Sequence, residues 1–197
     1  MRFSLLLIPD FPAEKLFLSR IIDNVNDRRP YMKIGVLSDT HDNLSSLIYV
    51  LNTFRESGID TIIHCGDLTG LEMVSHLEGF RVIYTIGNMD GLTGTIKKRI
   101  EGMREDNFVG TVFQGLIDSV PVAATHSHIE GTVMKLVREG RCKWLFHGHT
   151  HEKRDEVIRG VRIVNPGALG GLGREPRSFC IVDLAQEKVE FFRLPRD

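Results

Sequence analysis

The chain has 197 residues, 42% of them hydrophobic, enough for one sizeable core with or without an appendage. Its 25 basic and 26 acidic residues give a formal net charge of −1; nucleic acid is therefore not indicated as a partner, and no apolar run reaches the roughly 18 residues of a membrane span. Cys65, Cys142 and Cys180 are odd in number and form no C-x-x-C pair, which argues against a disulfide framework and for a reducing, cytoplasmic home.

Residues 1–31 differ from the rest. Met1 to Ile8 resembles the opening of a signal peptide, but the apolar stretch stops at Pro9-Asp10 and no small-residue cleavage site follows. Leu18, Ile21, Ile22 and Val25 have helical spacing. Two readings stand: a small helical appendage packed on the core, or a misassigned start upstream of a native Met32. The second is favoured, which leaves 32–197 as the main domain.

From Met32 the chain alternates. Strand 33–38 leads to a helix over 43–57, strand 61–64 to a helix over 70–78, and strand 81–86 ends at Gly87. This alternation predicts a parallel, layered sheet. The stretch 92–110 reads as irregular. Strands are expected over 111–117 and 120–125, a helix over 130–139, and a strand over 143–146 that ends at His147. Two hairpins follow, 153–158 with 161–164 and 178–184 with 188–193.

Ligands gather outside the carboxyl ends of parallel strands, and the chemistry-bearing residues fall there. The strand ends carry Asp39-Thr40-His41, Gly66-Asp67, Gly87-Asn88-Met89-Asp90, His126-Ser127-His128 and Gly148-His149-Thr150-His151. Asp-x-His and His-x-His place two donors on one side of an extended segment. Carboxylate with imidazole suits Mn, Fe, Ni, Zn or Co. Taken singly, Asp67 and Asn88 are common turn residues, while His64 and His147 read as buried strand histidines and His76 as a residue on a helix face. In this order and together, the motifs point to a metal centre. Asp90 either orients a ligand or caps a turn. Arg174 and Arg177 either meet substrate phosphate or lie in surface ion pairs.

These motifs, with Ser38-Asp39-Thr40-His41-Asp42-Asn43 and Val164-Asn165-Pro166-Gly167, resemble the calcineurin-like metallophosphoesterase superfamily over about residues 32–184, and most of all its small bacterial and archaeal phosphodiesterases. The resemblance implies an α/β fold, a four-layer αββα sandwich of two mixed β-sheets flanked by helices. It implies two divalent transition-metal ions, manganese first, with Ni, Zn, Fe or Co as alternatives. Asp39, His41 and His151 would hold one ion, Asn88, His126 and His149 the other, and Asp67 would bridge them. The reaction implied is hydrolysis of a small phosphodiester or nucleotide-like substrate by a metal-bridging hydroxide. Alternatives are a phosphomonoesterase or nucleotide pyrophosphohydrolase on the same site, and a non-catalytic scaffold such as the retromer subunit of this superfamily. That subunit has lost several ligands, whereas all seven positions are filled here. A homo-oligomer stays open.

Two positions depart from the family. Met89 stands where many members have a histidine that protonates the leaving group, and a thioether cannot donate a proton. His128 is the candidate replacement. Ser127 stands where the family usually has glycine, and a small effect through backbone freedom is expected.

Overall fold

The structure is a computed structural model that describes residues 32–171 and 176–195. The expectations for 1–31 and for Arg174 lie outside the described residues. Two mixed sheets are formed. The first has six strands in the order β11-β10-β1-β2-β3-β4 and the second five, β5-β6-β7-β9-β8. In the first sheet, β1 (Lys33–Leu37), β2 (Thr61–His64), β3 (Arg81–Thr85) and β4 (Phe108–Gly110) are parallel; β10 (Ser178–Asp183) runs antiparallel to β1, and β11 (Lys188–Arg193) antiparallel to β10. In the second, β6 (Val120–Thr125), β7 (Trp144–His147) and β9 (Val161–Asn165) are parallel, flanked by antiparallel β5 (Val112–Ile117) and β8 (Arg154–Ile158).

Side-chain alternation assigns the faces. Ile34, Val36, Ile63, Ile83 and Val182 of the first sheet meet Phe113, Val122, Trp144, Phe146 and Val164 of the second in an inter-sheet core. The opposite face, Leu37, Ile62, Val82, Tyr84 and Phe179, is covered by helices α1 (Leu44–Glu56), α2 (Leu71–Val74) and α3 (Thr93–Met103). The outer face of the second sheet, Ala123, Leu145 and Ile163, packs on Leu136 and Val137 of α4 (Thr132–Glu139). The result is the expected αββα order. The parallel strands, buried on both faces, read as continuous apolar runs for this reason.

Most elements fall within a residue or two of expectation. The stretch 92–110 is the main correction, since it holds α3 and β4. Leu92 occupies the N-cap of α3 with no side-chain cap, and only Ile96 and Ile100 of this helix are buried. Two core contacts and two internal glycines give little sequence signal. The helix expected over 70–78 is a single turn, α2, followed by a 3-10 turn, Ser75–Leu77, which carries His76. No described helix is long and apolar enough to cross a membrane.

Candidate metal centre

All five expected loops leave the carboxyl ends of β1, β2, β3, β6 and β7. Asp39, Asp67 and His126 are buried; His41 and His151 are partly buried; Asn88 and His149 are exposed. The centre therefore has a buried anionic floor and an open rim. Five of the seven candidate ligands, Asp39, His41, Asp67, His149 and His151, have φ between 45° and 70°. Left-handed backbone in non-glycine residues is unfavourable and clusters at functional sites. The extended Asp-x-His and His-x-His geometry expected from the sequence is thus replaced by turned loops at Asp39–His41 and His149–His151.

Two groups converge. Asp39, His41 and His151 offer ligand atoms within 4.8 Å of one another, and so do Asp39, Asp67 and His126. Nε2 of His151, His41 and His126 lie 3.2, 3.8 and 4.0 Å from Asp39 Oδ1. Asp67 Oδ2 lies 3.3 Å from His126 Nε2 and 3.9 Å from His41 Nε2. Asn88 Oδ1 is 3.1 Å from His126 Nε2, and the His149 ring packs 5.0 Å from the His126 ring. His128 joins the cluster with ring distances of 5.5 Å to His126 and 6.4 Å to His149.

The donor set fits a divalent cation. His126 Nδ1 lies 2.7 Å from the Cys65 carbonyl oxygen, which can only accept, so Nδ1 carries the proton. Its Nε2 then aims a lone pair, or a second proton, at Asp67 Oδ2 and Asn88 Oδ1. A lone pair facing two acceptors needs a cation between them. His41 Nε2 and His151 Nε2 also face each other at 3.2 Å. Asp39 Oδ1 is buried and, among the described residues, faces imidazole Nε2 atoms and no other donor, a position that a metal ion would satisfy.

The electrostatics agree. Burial pushes the Asp39 carboxyl up, but His151, Ser38 and His126 outweigh it and the net direction is down. Asp67 is lowered in the same way, burial being outweighed by His126, the Met89 main-chain N–H and His41. Burial lowers His126, but Asp67, Asp39 and the Cys65 carbonyl raise it overall. His151 is raised chiefly by Asp39. His149 is lowered, by burial and by His126.

Asp90 was expected either to orient the site or to cap a turn, and it organises two loops. Its Oδ2 accepts from Tyr84 O–H (2.5 Å), Gly87 N–H (2.7 Å) and Asp67 N–H (3.3 Å), and its Oδ1 from Thr69 N–H (3.1 Å). Met89 N–H donates to Asp67 Oδ1 at 2.8 Å. Gly87 must be glycine, because a Cβ there would lie 2.0 Å from Asp67 Oδ1. His64 is a buried strand histidine, as expected. Its Nδ1 accepts from Gly66 N–H, so its Nε2–H donates to Thr40 Oγ1 at 2.8 Å and ties the first two loops together. Burial pushes it down to about 4. His147 is likewise buried and lowered to about 4, first by burial. Arg177 lines a shallow depression with Ser45, Tyr49 and Leu194.

Known proteins are similar to this chain in sequence and fold. The family described as calcineurin-like phosphoesterase superfamily domain matches residues 32–187. A phosphodiesterase of Methanocaldococcus jannaschii is 32% identical over 142 residues, 71% of this chain and 86% of that protein. A solved structure described as a novel archaeal phosphodiesterase has a TM-score of 0.79 at 29% identity, covering 83% of this chain and 100% of its own. Vacuolar protein sorting 29 of Cryptosporidium parvum is similar in fold, with a TM-score of 0.59 at 18% identity over 82% of this chain and 96% of its own.

Proposed function

The chain belongs to the calcineurin-like phosphoesterase superfamily, and from that premise we propose that it is a dinuclear-metal phosphodiesterase. Family and fold mark it as a hydrolase of phosphoric esters. In the proposed site, Asp39, His41 and His151 hold one divalent ion and Asn88, His126 and His149 the other, with Asp67 shared. The observation that carries this reading is the position of Asp67 Oδ2, which faces His126 at 3.3 Å and His41 at 3.9 Å, one member of each set. Two such ions, when bound, lower the pKa of water and clamp the attacking and leaving oxygens of an in-line displacement. Carboxylate, amide and imidazole ligands suit manganese, with Ni, Zn, Fe or Co as alternatives.

The chain's own groups do the rest. Cys65 and Asp90 orient His126 and Asp67 through the bonds given above. Met89 supplies no proton, so His128 is assigned as the acid for the leaving group; its Nδ1 is buried without a partner, and its ring lies against both His126 and His149. The substrate class is a small phosphodiester or nucleotide-like ester in the cytoplasm. The M. jannaschii relative's name supports the diester. The fold shared with vacuolar protein sorting 29 does not separate enzyme from scaffold, but a complete ligand set does favour an enzyme.

A reconstitution assay tests the proposal. Metal-free protein is supplied with Mn, Ni, Zn or Mg and offered a generic phosphodiester and its monoester. Metal-dependent hydrolysis of the diester in preference to the monoester is expected. No metal-dependent hydrolysis of either defeats the enzyme, and preference for the monoester defeats the diesterase.

A further inference from the structure

Ser127 has φ 77°, a conformation that disfavours any residue with a Cβ. Glycine would be the unstrained choice, so the hydroxyl must bring something that offsets the strain. It donates to the Gly148 carbonyl at 3.2 Å. That carbonyl is held from a second side by Asn165, whose Nδ2 donates to it at 3.1 Å and to Thr150 Oγ1 at 3.0 Å. Asn165 is fully buried at the end of β9 and spends its own oxygen on Gly167 N–H at 2.9 Å. A third donor is the Thr150 main-chain N–H of the same loop, at 2.9 Å, and His147 Nδ1 lies 3.1 Å from the same oxygen.

The same peptide is pinned at its other end. His149 N–H donates to Asp39 Oδ2 at 3.0 Å. Gly148 admits no side chain, because a Cβ would lie 1.9 Å from Ser38 Oγ and 2.7 Å from Asp39 Oδ2. With its carbonyl fixed toward β6 and β9 and its N–H fixed toward β1, the Gly148–His149 peptide has one orientation. That orientation sets φ 70° at His149 and presents both His149 and His151 to the centre.

We propose that Ser127 and Asn165 are positioning residues that clamp the Gly148 carbonyl, so that the loop carrying His126 and His128 and the loop carrying His149 and His151 are held as one ligand-bearing unit. The consequence for metal binding rests on the function proposed above; the clamp itself does not. Partners that orient metal ligands typically contribute about 10–100-fold to metal affinity, and the same range is expected here.

The test uses Ser127→Gly, which relieves the strain and removes the hydroxyl, Ser127→Ala, which removes the hydroxyl alone, and Asn165→Asp, which keeps the acceptor for Gly167 and loses the donors. Two readouts apply to each variant: amide hydrogen exchange at His149 in the metal-free protein, and calorimetric titration with Mn²⁺. All three variants are expected to exchange His149 at least about tenfold faster and to bind Mn²⁺ about 10–100-fold more weakly. In Ser127→Gly this occurs with an unchanged or higher Tm, a divergence that general destabilisation cannot produce. His149 exchange within about twofold of wild type in both Ser127→Gly and Asn165→Asp would overturn the clamp. Wild-type protein that binds no divalent ion would defeat the proposed function, while the exchange readout would still decide the clamp.

Discussion

At the scale of single residues, Asp67 and Asn88 differ in what they touch. Asp67 is buried, faces imidazoles from both ligand sets and has its second oxygen held by Met89 N–H. Asn88 is exposed, and among the described residues its Oδ1 meets His126 alone. Asp67→Ala is therefore expected to lose both ions, and Asn88→Ala to weaken mainly one. Metal counting on the purified variants checks this, and an equal loss of both ions in the two variants would remove Asp67 from its shared position. His128 gives a second prediction. A positioned general acid contributes about 10²–10⁴-fold, and it matters most when the leaving group is a poor one. His128→Asn should slow an alkyl diester by that order and a nitrophenyl diester far less, with metal content unchanged. Equal rates for wild type and variant on the alkyl diester would end the assignment.

Among the elements, the strand-end loops were legible in the sequence because each follows a strong apolar run and carries an unusual residue pattern. D-x-H, G-D, G-N and G-H-x-H mark the ends of β1, β2, β3 and β7. What was not legible is how one loop holds another. Asp67 with Asp90, His64 with Thr40 and Asn165 with Gly148 each depend on the register between neighbouring strands, and no local pattern encodes that register. Helix α3 was missed for a different reason: its N-cap is Leu92 and its apolar stripe is only two residues deep. Asp90 shows what the loop network contributes to stability. Removing its carboxylate leaves three main-chain N–H groups and the Tyr84 hydroxyl without their acceptor. Asp90→Ala is expected to cost about 2–4 kcal/mol, and Tyr84→Phe only about 1 kcal/mol. Urea unfolding of the metal-free variants measures both, and equal midpoints for Asp90→Ala and wild type would refute the loop-holding role.

Across the whole molecule, pH acts on the metal-free protein from two directions. His64 and His147 sit folded at about 4, against about 6.5 in an unfolded chain. Between these values the unfolded chain takes up protons that the folded one refuses, so stability falls as pH drops from about 6.5 toward 4, by as much as roughly 3 kcal/mol per imidazole. His126 and His151 act in the opposite sense. Their folded values are raised by the carboxylates, so the stability they contribute is complete below about pH 6.5 and is lost as pH rises through the folded values. Asp39 and Asp67, both lowered, contribute above about pH 4 and lose that contribution only as pH falls through their folded values. In the proposed site, divalent metal would reverse the alkaline trend. It would require His126 and His151 without their Nε2 protons, so its affinity would rise over the pH range in which the metal-free centre weakens. Saturation at 100 times Kd adds about 2.7 kcal/mol. Thermal unfolding with and without Mn²⁺ should therefore show a Tm gap that widens from about pH 6 to about pH 8. A gap that stays constant or narrows would mean that the imidazoles which bind protons in the metal-free protein are not the ones that bind the metal.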